Sequence, residues 1–526
     1  MDLEGLMSDS PVSPLPGGGS RLDALTSWHA DWKGLRVGVL GLGVTGFSVA
    51  DTLCELGADV LVVAPGGDSD AARLLPVIGA RLVVQPDLDT PPDELVAFDA
   101  DVVVVSPGFA PHHPLVVWAT GSRAAVWGDV ELAWRVRDKT AKVAEWVLVT
   151  GTNGKTTTTQ LTAAMFAADE RTVAACGNIG LPVLDAVREP GGFDVLAVEL
   201  SSHQLHYLPI EGPGALHPAA SVCLNVEDDH LEWHGGHDAY RAAKGRVYAN
   251  TRIACVYNRA DPTTMRLVQE ADVEEGCRAV GFGVDAPPVS DFGVVEALLV
   301  DRAFLDDRQH RALELTTLET LTESGLDAPH LVADVLAAAA LARSLDVPPD
   351  AIHLAVAAFR ADHHRSEVVA TSGGITWIDD SKATNPHAAR ASLVAAGSVV
   401  WIVGGLFKGV DVAPLVRDDT SGLKAAVLIG RDREMLRDAF RRHAPGIPVF
   451  EVDEPDTERV MTRAVGLAAG VAESGDTVLL APAAASFDQF ADYGARGDAF
   501  ARAVHDHLGG DADGRHPIEP PATPGP

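Results

Sequence analysis

At 526 residues with 47% hydrophobic positions, the chain is too long for one compact core, and about three domains are expected at ~150 residues each. Its 74 acidic against 41 basic side chains give a formal charge of -33, which opposes long-range attraction to nucleic acid or to an anionic membrane surface. Five scattered cysteines, Cys54, Cys176, Cys223, Cys255 and Cys277, odd in number and without CxxC spacing, fit a reducing compartment and read as small buried hydrophobes.

The N-terminus carries Asp2, Glu4 and Asp9 and then Pro, Gly and Ser, with neither the basic nor the apolar stretch of an export signal, so a cytoplasmic location is expected. Residues 1 to about 30 and 511–526 have too little apolar surface to offset ordering entropy and read as mobile tails. Apolar runs are strand-length, well short of the roughly twenty residues that span a bilayer, so no membrane insertion is expected.

Residues 31–142 form the first expected domain. Short β-branched runs at 35–40, 60–63, 82–84 and 102–105 alternate with helix-length stretches, the pattern of a parallel α/β sheet. Gly41-Leu42-Gly43-Val44-Thr45-Gly46 follows the first strand and matches G-x-G-x-x-G, a weak signal alone. A nicotinamide site also wants an acidic residue ending the second strand, where Ala64-Pro65-Gly66 stands instead.

Residues 143–361 repeat the rhythm, with strands at 146–149, 195–198, 221–224 and 253–256 and closing helices at 332–345 and 351–359. The clearest chemical element is Gly151-Thr152-Asn153-Gly154-Lys155-Thr156-Thr157, between a strand and the helical stretch 160–168. Glycines let backbone N–H groups converge on phosphate oxygens, the helix N-terminus adds positive potential, Lys155 reaches the β/γ phosphates and Thr156 can ligate Mg²⁺. Val149 stands where the general phosphate-loop pattern has its first glycine, so this loop is a variant. Glu199 ends the strand 195–198, where parallel sheets bind ligands. Alone it could equally be a capping or surface residue; beside a Lys-Thr loop it reads as a Mg²⁺ ligand. Asn225-Val226-Glu227-Asp228-Asp229-His230 follows the next strand, and Lys244 sits in a helix-like run; an acidic loop and a solvated lysine are the bland alternatives.

Residues 362–510 form a third α/β series, with strands at 375–378, 399–403, 425–429 and 477–480. Asp379-Asp380-Ser381-Lys382-Ala383-Thr384-Asn385 follows its first strand, preceded by His364-Arg365-Ser366-Glu367. Gly404-Gly405-Leu406-Phe407-Lys408-Gly409 and Ala481-Pro482-Ala483-Ala484-Ala485-Ser486-Phe487 follow two more.

Taken in order over about residues 35–505, the TGTNGKT loop, the N-x-x-x-D-H element, H-R-x-E and D-S-K-A-T-N resemble the Mur ligases, most closely their D-glutamate-adding branch. The resemblance implies three consecutive domains, N-terminal Rossmann-like, central P-loop ATPase-type and C-terminal Rossmann-like. It also implies an ATP-dependent amide ligase using ATP and two Mg²⁺ ions, with UDP-N-acetylmuramoyl-L-alanine and D-glutamate as substrates, acting as a monomer. Lys155, Glu199, His230 and Lys244 are the implied catalytic set, with Thr156, Glu199, His230 and a carbamylated Lys244 as metal ligands. ATP is assigned to residues 151–157 with Arg365 and Asp380. Gly43, Val44, Thr45, Ser106, Gly108, Asn178 and Ser201 are assigned to the UDP-sugar, and Lys382, Thr384, Lys408, Ser486, Phe487 and Tyr493 to D-glutamate.

Two departures stand out. His330-Leu331-Val332-Ala333-Asp334 replaces both asparagines of the family's H-N-x-x-N on the adenosine side, and Ala64-Pro65-Gly66 replaces polar residues on the uracil side. Two rival readings share the phosphate loop: a folylpolyglutamate-type synthase, and a non-catalytic nucleotide-binding protein.

Overall fold

The structure, a computed structural model, describes residues 21–360, 363–454 and 456–510. Three mainly parallel sheets follow one another along the chain. The first holds β1 (Arg36–Leu40), β2 (Asp59–Ala64), β3 (Arg81–Val84), β4 (Val102–Val105) and β5 (Ala125–Gly128) in the order β3-β2-β1-β4-β5, all parallel. All four β4 valines are buried, as expected of a strand covered on both faces.

The second sheet contains β6 (Glu145–Thr150), β7 (Val173–Gly177), β8 (Val195–Glu199), β9 (Ala220–Cys223), β10 (Ala254–Asn258), β11 (Arg278–Phe282), β12 (Phe292–Val295), β13 (Leu298–Asp301) and β14 (Leu313–Thr317). Its order is β14-β13-β12-β11-β10-β9-β6-β8-β7. The last three strands, β12 to β14, are antiparallel to one another and have no helices between them, so they fall outside the strand–helix alternation of the rest of the sheet. Helix Pro329–Ser344 buries nearly its whole length, its alanines allowing close packing on helix Lys155–Ala168. That second helix begins at Lys155, earlier than the sequence indicates. Four consecutive threonines are weak helix formers, but burial and hydroxyl bonds such as Thr159 Oγ1 to Lys155 O (2.8 Å) hold them in the first turn.

The third sheet has β15 (Glu367–Ser372), β16 (Ile375–Asp379), β17 (Val399–Gly404), β18 (Leu423–Ile429), β19 (Val449–Glu451) and β20 (Thr477–Leu480), ordered β15-β16-β20-β17-β18-β19. Only β15 runs antiparallel to its neighbour.

The expected tails at residues 1–20 and 511–526 lie outside the described residues, as does the 361/362 boundary. Residues 21–30, expected to be part of a mobile tail, instead pack on the first domain. Leu25 and Trp32 are buried anchors, Arg135 donates to the carbonyls of Leu22 (3.2 Å) and Leu25 (3.0 Å), and Asp138 accepts from Ser27 and from the Trp28 N–H. Residues 21–30 are themselves half apolar (Leu22, Ala24, Leu25, Trp28 and Ala30), unlike the Pro/Gly/Ser-rich stretch before them, and Leu25, the neighbouring Trp32 and the buried Arg135 guanidinium hold them in place. Among the described residues, no helix is long and apolar enough to cross a membrane.

Candidate active site

In the second sheet β6 lies between β8 and β9, so chain connections leave it in opposite directions and open a crevice at its carboxyl end. The phosphate loop occupies that crevice. Gly154 is left-handed (φ 81°) and a Cβ there would meet Asp334 Oδ1 at 2.3 Å, so this position requires glycine twice over. The loop is held open by Asn225, whose Oδ1 accepts from the backbone N–H of Thr152 (2.9 Å) and Asn153 (2.8 Å) while its Nδ2 donates to Asn153 O. The Thr152 hydroxyl lies 2.8 Å from Tyr240 OH and accepts from the Glu227 N–H. The sequence pattern contains Asn225 and Tyr240 but assigns neither this clamping role, because it arises from strand adjacency.

Lys155 Nζ donates to the carbonyls of Gly151 (2.9 Å) and Thr152 (2.8 Å), and Lys244 Nζ reaches the same Gly151 carbonyl at 2.7 Å. Burial lowers the pKa of both lysines. For Lys244, which also feels the Lys155 cation, the value falls to about 7. A substantial share of Lys244 is therefore neutral amine near neutral pH.

Glu199 ends β8 almost fully buried. Its Oε1 accepts from Asn178 Nδ2 (3.3 Å), but its Oε2 has no hydrogen-bond partner among the described residues. A buried carboxylate oxygen left unpaired is costly unless a cation or donor meets it, and this fits a metal ligand. His230 takes a left-handed conformation (φ 52°), and burial, then Lys408, Lys155 and Lys244, lower its pKa to about 3, so its imidazole is neutral, as metal ligation requires. Thr156 Oγ1 accepts from Lys382 Nζ at 3.2 Å, across from the second sheet to the third. No three His, Cys, Asp or Glu side chains among the described residues cluster as a metal cage. The oxygen donors of Glu199 and Thr156 are of the kind a hard cation such as Mg²⁺ prefers.

Asp334, standing where the family has asparagine, is buried beside Gly154 and Thr158. Burial raises its pKa to about 8, against Arg365 and Thr158, so at neutral pH it is mainly a neutral carboxyl that can donate and accept like an amide. Arg365 is half-buried with its Nε unpaired among the described residues. Asp380 is buried within the third domain, accepting from the Ser366 N–H (3.2 Å) and the Ser392 hydroxyl.

In the first domain Gly41 is left-handed, and a Cβ on Gly46 would lie 2.2 Å from Gly41 O, so the turn and the close strand–helix approach need both glycines. Helix Val44–Glu55 begins at Gly43 without a side-chain cap, and Val44 is exposed beside it. Thr45 follows in that first turn. Ser106 lies against Gly41, with Gly108 in the turn beyond β4. Asn178 donates its backbone N–H to Glu199 O (2.8 Å), and Ser201 caps the helix Ser202–His206 in a reciprocal box with Gln204. The first and second domains are joined here by Gln204 Nε2 to Asp129 Oδ2 (2.9 Å) and Tyr207 OH to Phe109 O (2.8 Å). Burial raises the Asp129 pKa.

In the third sheet β16, β20 and β17 are neighbours, so the three motifs after them meet at one edge. Ala483 N donates to Ala383 O (2.9 Å), and Leu406 pairs with Ala485 across an isolated bridge. Lys382 Nζ lies 4.9 Å over the Tyr493 ring, and Lys408 Nζ 5.8 Å over Phe487. Ser486 is buried and Phe487 exposed. A cleft between the second and third domains is lined by Asp229, His230, Thr384, Asn385, Phe407 and Lys408. Asn385 Nδ2 donates to Asn153 Oδ1 (2.9 Å), a second bridge between the loop and the third domain. Arg496, absent from the sequence reading, is buried and donates to Ser381 Oγ, Ser381 O and Ala484 O, tying two of the motifs together.

A glycine loop of phosphate-binding type, bridged by Lys382 and Asn385 to a following α/β unit and close to a cleft that carries Lys408, suits an ATP-using ligase, and the comparisons agree. Residues 149–342 match the Mur ligase middle domain and residues 364–484 the Mur ligase glutamate ligase domain. The fold is shared with UDP-N-acetylmuramate-alanine ligase of Thermotoga maritima (TM-score 0.53, 19% identity, covering 90% of this chain and 99% of that one). It is also shared with MurF ligase of Thermotoga maritima in complex with ADP (TM-score 0.52, 17% identity, 91% and 96%). The chain belongs to the Mur ligase family.

Within it, the relatives narrow the group. The chain is 61% identical to the UDP-N-acetylmuramoylalanine--D-glutamate ligase of Leifsonia xyli subsp. xyli (94% of this chain, 96% of that protein). It is 49% identical to the protein of the same name from Streptomyces avermitilis (90% and 98%).

Proposed function

We propose that the protein is a cytoplasmic, monomeric ligase that joins D-glutamate to UDP-N-acetylmuramoyl-L-alanine at the expense of ATP, in peptidoglycan precursor synthesis. The reading rests on one contact above all, Lys382 to Thr156, which brings the amino-acid side of the third sheet onto the phosphate loop of the second. Residues 31–142 take the UDP-sugar through the turns at Gly43, Val44, Thr45, Ser106 and Gly108, with Asn178 and Ser201 from the second domain. Residues 143–361 hold ATP, joined by Arg365 and Asp380, and residues 362–510 hold D-glutamate.

The L-alanyl carboxylate attacks the γ-phosphorus of ATP, ADP leaves and an acyl phosphate forms. Lys155 and Arg365 place fixed positive charge where the transferring group accumulates negative charge, so the contribution of these residues is electrostatic and orientational. Two Mg²⁺ ions, held by Thr156, Glu199, His230 and the carbamate of Lys244, would supply charge neutralisation across the phosphates. The lowered pKa of Lys244 favours that carbamate, because only the neutral amine adds to carbon dioxide. The amine of D-glutamate then attacks the activated carbonyl, and phosphate leaves as the amide forms. Lys382 and Lys408 supply cations for the two carboxylates of D-glutamate, with Thr384 and Ser486 as hydroxyl donors and Phe487 and Tyr493 as walls.

The test is phosphate release from purified protein with ATP, Mg²⁺ and UDP-N-acetylmuramoyl-L-alanine, comparing D-glutamate, L-glutamate and folate-type acceptors. Release that requires D-glutamate is expected; release with a folate acceptor, or with none, would overturn the reading.

A further inference from the structure

β10 and β11 run side by side, with Cys255 in register with Ala279 and Cys277 two residues before that pairing. Their sulfurs lie 3.7 Å apart, and both thiols are free. Cys255 is buried, whereas Cys277 is half-buried in the segment that leads into β11. The other three cysteines are placed differently. Cys176 and Cys223 are buried with thiols pushed up to about 12, and Cys54 sits on helix Val44–Glu55 in the first domain. None of these three has a second sulfur within hydrogen-bond reach among the described residues.

We propose that Cys255 and Cys277 form a reversible modification site, a disulfide made by hydrogen peroxide. The Cys277 sulfur attacks one peroxide oxygen, the O–O bond breaks, and water leaves with the thiol proton, giving a sulfenic acid. The Cys255 sulfur then attacks the Cys277 sulfur, the S–O bond breaks, and a second water leaves as the S–S bond forms. Two thiols lose two electrons and the peroxide is reduced to two waters.

Accessibility and chemistry assign the two roles in the same direction. The sulfur that must meet the oxidant is the half-exposed one. The hydrogen bond it shares with Cys255 and nearby backbone N–H donors also hold its thiol below its ordinary value, against burial. The buried Cys255 thiol is pushed up, which suits a resolving partner that reacts only once the sulfenic acid is beside it. A disulfide needs its sulfurs about 2.05 Å apart, so the pair must close by under ~2 Å. Cys277 lies outside the strand ladder, where side-chain torsion and local backbone can supply that movement.

The bond would close a loop around helix Pro262–Glu270. Cys255 is the second residue of β10 and Cys277 precedes β11, so the crosslink sits toward the amino ends of these strands, whereas the phosphate loop, Glu199 and Asn225 stand at carboxyl ends. The expected consequence is resistance to unfolding with the catalytic crevice left in place.

Full-length reduced protein treated with hydrogen peroxide, alkylated under denaturing conditions and digested tests this directly by mass spectrometry. A linked Cys255–Cys277 peptide about 2 Da lighter than the two reduced peptides, cleaved by dithiothreitol, is expected, with Cys54, Cys176 and Cys223 still alkylated. The linked protein should unfold at a temperature about 5 °C higher than the reduced protein, and Cys277→Ser should show neither the link nor the shift. Sulfinic acid on Cys277 with Cys255 still alkylated, links scattered over all five cysteines, or no oxidation would each overturn the proposal. The wild-type mapping decides the matter even if the variant folds poorly.

Discussion

Replacing Asp334 by asparagine should stabilise the protein at neutral pH and do so progressively less as the pH falls. The carboxyl is buried beside Gly154, and burial raises its pKa from 3.8 to about 8, with Arg365 and Thr158 opposing the rise. Below about pH 4 native and unfolded chains both carry the proton. Between there and pH 8 the unfolded chain has released it and the native chain retains it, so native stability falls as pH rises through that window and levels off above it. At 1.36 kcal/mol per pKa unit the loss amounts to about 1.5 kcal/mol at pH 5 and about 4 kcal/mol at pH 7. Asparagine keeps the shape and both hydrogen-bonding roles with no proton to release, so the stability advantage of Asp334→Asn should grow by about 3 kcal/mol between those pH values. Urea unfolding of both proteins at pH 5 and pH 7, followed by tryptophan fluorescence, measures this difference. An advantage that is the same at both pH values would refute the assignment of a neutral buried carboxyl.

Other substitutions address the site itself. Lys155→Ala should lower the rate of phosphate release by at least about 10²-fold while circular dichroism stays native, since the lysine's role is electrostatic. Asn225→Ala leaves the Asn153 N–H without its acceptor, while the Thr152 N–H keeps the Asn225 carbonyl, and should cost about 1–3 kcal/mol in thermal or urea unfolding, with weaker ATP binding by calorimetry. Lys408→Ala should raise the KM for D-glutamate by about 10-fold or more and leave that for ATP nearly unchanged, a split that steady-state kinetics resolves. Labelling with ¹³C-bicarbonate should give a carbamate signal from the parent that Lys244→Ala lacks. The signal should fade as pH falls below about 7, because protonation removes the amine that adds carbon dioxide.

Much of the chemistry was legible in residue order alone. A glycine loop that ends in Lys-Thr between a strand and a helix points to phosphate far more sharply than the glycines at 41–46 do, and Glu199 at the end of an apolar run already stood where parallel sheets place ligands. The β-branched runs located strands such as Val102–Val105 and Thr477–Leu480, because strands covered on both faces read as continuous apolar stretches. Residues whose backbone partners come from the same few positions, such as Gly41 and Gly46, were legible for the same reason: their constraint is local.

What only the tertiary structure decided is which distant segments became neighbours. The order β16-β20-β17 sets D-S-K-A-T-N beside the motif that contains Ser486, and the position of β6 between β8 and β9 brings Glu199 and Asn225 to opposite sides of the loop. The Asn225 clamp, Arg496 tying Ser381 to Ala484, and the convergence of Lys155 and Lys244 on one carbonyl all follow from that adjacency. Burial is likewise a tertiary property. An aspartate in a helical run carries no mark that it will be sealed against Gly154, and residues 21–30 carry no mark of the Arg135 guanidinium, more than a hundred positions on, that holds their carbonyls. Pattern records what each residue can do within its own turn or strand, whereas pKa values, unpaired oxygens and sulfur contacts depend on what the completed fold excludes from water.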